Sequence, residues 1–253
     1  MRTFRPPAVT PAKKAVIIGA SSGIGRALAV ALAQEGFEVG AASRRVELLR
    51  SLEAEIGGGH CRPLYMDVRE PDASTAALKK LVQDLGGMDL FIYNSGVNAM
   101  NPDFDLATEL ETIRVNLWGF VCLSNFAVKF FSNQNSGHLL GISSIAALRG
   151  SGRSPSYNAA KAFMSNYLAG LRQKLAGTPI AVTDVRPGYV DTEMIRGRKG
   201  VFWASTPEKA AREILDAIRK KKKVVYVTKR WGLAAGLFRI VPDWLYNMGA
   251  KRL

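Results

Sequence analysis

The sequence predicts a single-domain α/β fold: a doubly wound parallel sheet of about seven strands with helices on both faces. Three observations carry this prediction. Short apolar runs rich in β-branched residues alternate along the chain with segments whose apolar residues recur at helical spacing. A glycine-rich turn joins the first strand directly to the first helix. Small, polar and charged residues stand where the strands end, and an open parallel sheet gathers such positions around one crevice.

Ahead of the first strand, residues 1–12 are basic and proline-containing and read as a loose tail with no apolar core of a secretory signal. Ala15-Val16-Ile17-Ile18 then reads as a buried strand. It runs into Gly19-Ala20-Ser21-Ser22-Gly23-Ile24-Gly25, and a helical pattern through Leu28, Leu32 and Ala33 follows, ending near Gly36. Strand, glycine turn and helix form the context of a dinucleotide-binding loop. Glycines let the backbone approach a pyrophosphate, and the helix N-terminus offers free N–H groups and a positive dipole. The spacing is Gly-x-x-x-Gly-x-Gly rather than the more usual Gly-x-Gly-x-x-Gly.

Glu38 to Ser43 reads as the second strand, ending about 20 residues beyond the loop, where an acid would hold the adenosine 2′-hydroxyl of NAD. The residues there are Ser43-Arg44-Arg45. A guanidinium forks onto a phosphate, so the chain favours NADP, with Arg44 as the leading contact. The plainer alternative is that both arginines only start a surface helix.

The alternation continues: helix over 45–56, strand over 60–67, helix over 71–85 and strand over 89–94, ending in Asn94-Ser95-Gly96. A long helix is expected over 105–132, containing Asn116. Strand 138–143, helix 155–175, strand 180–186 ending in Pro187-Gly188, helix 207–222 and strand 224–228 complete the pattern. No repeat or low-complexity linker divides residues 13–228.

The 253 residues suffice for one large core. Hydrophobic residues make up 47% and charged residues 22%, an ordinary globular balance. The net charge of +14 is spread along the chain without a nucleic-acid motif, so no nucleic-acid partner is expected. Its local excess, Arg219 to Lys223, reads as a solvated helix end or as a contact for an anionic membrane surface. Cys61 and Cys122 stand far apart in apolar surroundings, which points to a reducing compartment and a cytoplasmic location. His60 and His138 have no ligand-like neighbours, so no metal site is expected. No uninterrupted apolar stretch of about 18 residues is present.

The helix over 155–175 carries the chemistry. Ser154 suits an N-cap and Pro155 the first helical position. Tyr157 and Lys161 lie one turn apart on one face. A lysine ammonium there would lower the phenol's pKa and make it a proton donor and acceptor near neutral pH. Alone, Tyr-x-x-x-Lys is a common pair; the rest of the chain gives it weight.

Together these residues resemble the short-chain dehydrogenase/reductase family, over roughly Lys13 to Val227. The matching parts are Gly19-x-x-x-Gly23-x-Gly25, Asp67-Val68, Asn94-Ser95-Gly96, Asn116, Ser144, Tyr157-x-x-x-Lys161 and Pro187-Gly188. One mild departure is Tyr93-Asn94-Ser95-Gly96, where Asn-Asn-Ala-Gly is the family's common form; it keeps the asparagine and the glycine. The resemblance implies a Rossmann-like fold and a proton relay. Tyr157 would give a proton to a carbonyl oxygen or take one from an alcohol. Ser144 would hydrogen-bond that oxygen. Lys161 would tune Tyr157 and bind the nicotinamide ribose, and Asn116 would hold a water linking Lys161 to solvent. Cofactor contacts would come from Gly19, Ser21, Ser22, Gly23, Ile24 and Gly25. Asp67 and Val68 would meet adenine, Asn94 and Gly96 the adenosine ribose, and Pro187, Gly188, Val190 and Thr192 the carboxamide end. The implied activity is an NADP(H)-dependent oxidoreductase interconverting a carbonyl and a secondary alcohol, in a homodimer or homotetramer.

Residues 191–206 should form a lid whose Met194, Ile195, Phe202 and Trp203 suggest a hydrophobic substrate, while Arg196, Arg198 and Lys199 would tolerate an acidic one. Residues 229–253 read as an amphipathic segment through Ala234, Leu237, Phe238, Val241, Leu245 and Met248, divided at Pro242. Trp231 and Trp244 would be interfacial anchors beside Arg230, Arg239, Lys251 and Arg252. Packing over the pocket or a subunit interface is the favoured reading, and peripheral membrane contact the second. The alternatives for function are therefore a membrane-surface reductase of long-chain keto lipids or, less favoured, a non-catalytic NADP-binding regulator.

Overall fold

The computed structural model describes residues 12–198, 200–244 and 246. The expectations placed on Met1 to Pro11, Lys199, Leu245, Met248, Lys251 and Arg252, and on the side chains of Phe238 and Arg239, lie outside the described residues.

Seven parallel strands form one sheet in the order β3-β2-β1-β4-β5-β6-β7. They are β1 (Lys14–Ile18), β2 (Glu38–Ser43), β3 (Cys61–Tyr65), β4 (Leu90–Tyr93), β5 (Gly137–Ile142), β6 (Ile180–Pro187) and β7 (Val224–Val227). The order reverses between β1 and β4, which pair from Ala15↔Leu90 to Ile18↔Tyr93. A crevice opens beyond the carboxyl ends of strands at such a switch point.

Both faces of the sheet are buried, so the strands read as continuous apolar runs. Val16, Ile18, Phe91 and Tyr93 face one layer, packed by α3 (Pro71–Leu85), α5 (Gly119–Gln134) and α6 (Pro155–Lys174) through residues such as Leu78, Phe120, Phe131, Met164 and Leu168. Ala15, Ile17, Leu90 and Ile92 face the other, packed by α1 (Gly23–Gln34), α2 (Val46–Ile56) and α7 (Pro207–Arg219) through Leu28, Leu32, Leu49, Leu52 and Ile214. Each fully buried aliphatic side chain contributes about 1.5–3 kcal/mol by leaving water. Truncating one, as in Leu28→Ala, costs about 2–5 kcal/mol.

Local chemistry sets the helix ends. Proline stands in the first turn of α3, α6 and α7, where its missing N–H is harmless. Thr206 caps α7 by accepting from the Lys209 N–H at 3.2 Å. Ser154 occupies the N-cap position of α6 but its hydroxyl makes no capping bond.

Two expected elements differ. The long helix is divided: α4 (Leu106–Ile113) passes through a π-helical segment, Arg114–Trp118, into α5. A widened turn keeps almost the same apolar periodicity, so sequence spacing does not reveal it. The combined helix, Leu106–Gln134, is long and apolar enough to cross a membrane by length and composition. Its apolar face packs on the sheet through Val115, Phe120, Leu123, Ala127 and Phe131.

The C-terminal segment is the second difference. Helix α8 (Lys229–Ile240) ends just before Pro242. Among its described side chains the most buried are Trp231 and Ala235, each 2% exposed, rather than Ala234 and Leu237. Trp231 is therefore a core residue and not an interfacial anchor. Its ring lies against Tyr189, Phe202 and Trp203 with centroids 5.3–5.8 Å away. Trp244 is exposed.

Candidate active site

The cleft over the switch point has a volume of about 1670 Å³. That exceeds the roughly 300–1000 Å³ of a typical small-molecule pocket, so it has room for a dinucleotide and a substrate together.

At one end β1 turns through Gly19, whose φ of +87° suits glycine, and the turn is tied down by Gly19 N–H to Ala42 O at 2.7 Å. Gly25 opens α1 so tightly that a Cβ there would lie 2.1 Å from Gly19 O. Asn94 holds the same carbonyl, its Nδ2 donating to Gly19 O at 2.7 Å. The N-cap residue of α1, Ser22, makes no side-chain cap bond, which leaves the helix N-terminus to a ligand. Gly19, Ser21, Ser22, Gly23, Ile24, Arg44, Val68, Asn94 and Gly96 line this end. The backbone cradle fits a dinucleotide pyrophosphate.

Asp67 is committed elsewhere: Arg69 grips its carboxylate with Nε at 2.9 Å and Nη2 at 2.5 Å, and this contact holds it below the usual carboxylate range. Arg45 lies along the glycine loop. Its Nη2 donates to Ser21 Oγ at 3.0 Å and Ser22 Oγ at 2.5 Å, and its Nη1 meets Glu193 at 2.7 Å. Sequence spacing singled out Arg44, which also lines the cleft. Which of two adjacent arginines turns inward depends on side-chain direction, which spacing does not encode.

At the other end α6 presents Tyr157 and Lys161, both buried, toward the end of β5. Lys161 Nζ donates to Ile142 O at 2.9 Å and lies 5.7 Å from the centre of the Tyr157 ring. Ser144, just past β5, donates to Pro187 O at 3.4 Å and accepts from Ala146 N–H at 3.1 Å. Gly96 fits between two of these groups: a Cβ on it would lie 2.7 Å from Asn116 Oδ1 and 3.3 Å from Lys161 Nζ. Asn116, in the π-helical segment, spends its side chain on holding the neighbouring loop. Its Nδ2 donates to Val97 O and Thr112 O at 2.9 Å, and its Oδ1 accepts from Val97 N–H at 3.3 Å.

The electrostatics correct one expectation. Tyr157 is raised above the ordinary phenol range by burial, with the Ser144 hydrogen bond and then the Arg198 charge opposing. Lys161 is lowered to about 8 by its own burial, which outweighs the attraction of Asp184. Desolvation disfavours each charged form and exceeds the neighbouring charges here. The helical spacing of Tyr157 and Lys161 carries no information about burial, and so misses the sign.

The lid begins where Gly188, bonded from its N–H to Val227 O at 2.7 Å, passes Trp231 so closely that a Cβ would lie 2.1 Å from that ring. Val190 pairs with Ser205, which draws the two ends of the lid together. Pro187, Gly188, Val190 and Thr192 line the cleft beside Tyr189, Met194, Ile195 and Phe202. Leu237, Val241 and Tyr246 from the C-terminal segment line its mouth. Arg149 ties that segment down through Val241 O and Asp243. Sequence reasoning missed Arg45, Tyr189, Glu193 and Trp231 as cleft residues; an aromatic cluster split between residues 189–203 and 231 leaves no short-range signal. No cluster of three or more metal-ligating side chains occurs among the described residues.

Comparison with known proteins finds a matching family model, oxidoreductase relatives and similar folds. Residues 13–199 match the family model described as short chain dehydrogenase. An uncharacterized oxidoreductase of Myxococcus xanthus is 32% identical over 252 residues, covering 95% of this chain and 97% of the relative. An uncharacterized oxidoreductase of Staphylococcus aureus is 31% identical, covering 84% and 93%. Among solved structures, the closed form of serine dehydrogenase complexed with NADP+ is similar with a TM-score of 0.75 and 25% identity, over 84% of this chain and 92% of that one. A 7β-hydroxysteroid dehydrogenase shares the fold with a TM-score of 0.82 at 21% identity, over 94% and 96%.

Proposed function

The chain belongs to the short chain dehydrogenase family, and we propose that it interconverts a carbonyl and a secondary alcohol on a hydrophobic substrate with NADP(H). The carrying observation is that one cleft joins an arginine-flanked glycine loop to a buried Tyr157, Ser144 and Lys161. When bound, the nicotinamide supplies or accepts the hydride. Tyr157, protonated at neutral pH, donates its proton to the carbonyl oxygen in reduction and takes it back in oxidation. Ser144 donates a hydrogen bond to that oxygen as charge develops on it. Lys161, lowered to about 8 and so mostly charged at neutral pH, holds its ammonium 5.7 Å from the centre of the Tyr157 ring, where a positive charge favours the phenolate left by proton loss. Gly96 and Asn116 keep the loop behind Lys161 in place. Arg44 and Arg45 give the cofactor end its affinity for the 2′-phosphate.

The substrate end is walled by Met194, Phe202, Trp231 and Leu237, which supports an apolar substrate, and Arg198 near Tyr157 suits one that bears an acidic group. The exposed Leu110, Ile113, Trp118 and Phe163 on α4, the π-helical segment and α6 support a homodimer or homotetramer, checked by light scattering at micromolar concentration. A cytoplasmic location goes with the reduced cysteines. A second reading, a membrane-surface reductase of long-chain keto lipids, is favoured by the exposed Leu233, Ile240 and Trp244 around α8. Co-sedimentation with anionic liposomes separates the two locations. The activity itself is tested by following NADPH oxidation with ketosteroids, long-chain ketones, β-ketoacyl thioesters, quinones and sugars. Turnover confined to apolar ketones is expected; no turnover with any of these carbonyl classes would argue for the non-catalytic regulator.

A further inference from the structure

Glu193 has no part in the roles given so far, yet it holds a strategic position. It is the only carboxylate among the described residues that line the cleft. It stands at the start of the lid's short helical turn, Glu193–Ile195, and reaches across to the phosphate end. Arg45 Nη1 meets its Oε2 at 2.7 Å, and Ser22 Oγ donates to the same oxygen at 3.5 Å. The rest of the Arg45 guanidinium lies on the glycine loop through Ser21 and Ser22. Beside this contact the Thr192 methyl presses on Gly23, where a Cβ would lie 2.8 Å from Thr192 Cγ2. An anion from the lid thus occupies the arginine that lies on the glycine loop. It is ionised at neutral pH, because the Arg45 hydrogen bond holds it below the usual glutamate range.

The geometry points to Glu193 as a cofactor-specificity residue, whose carboxylate competes with the 2′-phosphate of NADP(H) for Arg45 and fastens the lid to the glycine loop until that phosphate displaces it. This rests on the NADP(H) reading above. The exchange is physically reasonable. The Arg45 and Glu193 side chains are 46% and 52% exposed, and ion pairs of that kind hold weakly. A phosphate monoester brings more negative charge and three acceptor oxygens to the same fork. NAD(H), without the 2′-phosphate, has no such claim on Arg45. Glu193 therefore sets how far NADP(H) is preferred and links cofactor binding to release of the lid.

The test is calorimetric measurement of the dissociation constants for NADP+ and NAD+ in the wild type, in Glu193→Gln, and in Glu193→Gln combined with Arg45→Met. Glu193→Gln is expected to tighten NADP+ roughly two- to fivefold, the range of a weak exposed ion pair, and to leave NAD+ unchanged. Added salt should shrink the gain. In the Arg45→Met background the gain should disappear, measured against Arg45→Met alone. Weaker NADP+ binding in Glu193→Gln, equal tightening of both cofactors, or a gain that survives loss of Arg45 would each overturn the proposal. The wild-type ratio of the two constants tests the NADP(H) reading separately: a wild type that prefers NAD+ rejects that reading, while the shift of the ratio in Glu193→Gln still judges Glu193.

Discussion

The two ends of the cleft are built differently. The cofactor end is backbone: a glycine turn, strand ends and a helix N-terminus, fixed by short hydrogen bonds such as Asn94 to Gly19 O. The substrate end is side chain: Tyr189, Phe202, Trp203 and Trp231 packed edge to face or tilted, with the lid and α8 held together by those rings. Backbone geometry tolerates little change and suits a ligand shared by many enzymes. Aromatic packing can be recut residue by residue, and it suits whichever substrate the chain must select. The difference teaches that the two ends should fail separately.

The largest expected effect tests this separation. Trp231→Ala removes a side chain only 2% exposed at the hub of the aromatic cluster and should destabilise the protein by about 3–5 kcal/mol. In the fraction that remains folded, NADPH affinity should stay near wild type while the KM for substrate rises. Thermal unfolding with cofactor titration measures both. Equal loss of cofactor affinity would show that the ends are one unit.

A control lies at the opposite, amino-terminal ends of the strands. His138, near the start of β5, is buried, bonded to Thr183 Oγ1 at 2.8 Å, and lowered to about 4 chiefly by burial, with Lys221 adding to it. An ordinary histidine in the unfolded chain titrates near 6.5. The unfolded state therefore binds more protons between these values, and stability must fall as pH drops through that window, by up to about 3 kcal/mol. His138→Gln should flatten the fall in urea unfolding curves taken from pH 7 to pH 4. Wild-type curves that do not move over this range would contradict the burial account.

Arg44→Ala gives a smaller effect, confined to the cofactor end. It should weaken NADPH by about 1.5–3 kcal/mol and leave the KM for NADH nearly unchanged. An equal effect on both cofactors would remove the phosphate role from Arg44.

This contrast also explains what could be read from the sequence. Gly19, Gly23, Asn94, Tyr157 and Lys161 stand out by short-range spacing, and all five line the one cleft. Strand and helix order followed from periodicity, because a sheet buried on both faces leaves β-branched runs. Three features depended on tertiary packing and stayed hidden. Trp231 carries the composition of a membrane anchor, but it packs in the core against residues 28 to 42 positions earlier. The sign of the Tyr157 shift is set by burial, against the Ser144 hydrogen bond, and burial is not readable from helical spacing. The Arg45–Glu193 contact spans 148 positions.

The central claim is that Tyr157 is the proton donor in a cleft whose cofactor end is complete without it. The direct measurement is Tyr157→Phe, with NADPH affinity and substrate turnover determined on the same preparation. The account predicts that turnover falls by about 10² to 10⁴ or more while NADPH affinity stays near wild type. Near-wild-type turnover in the variant would contradict it.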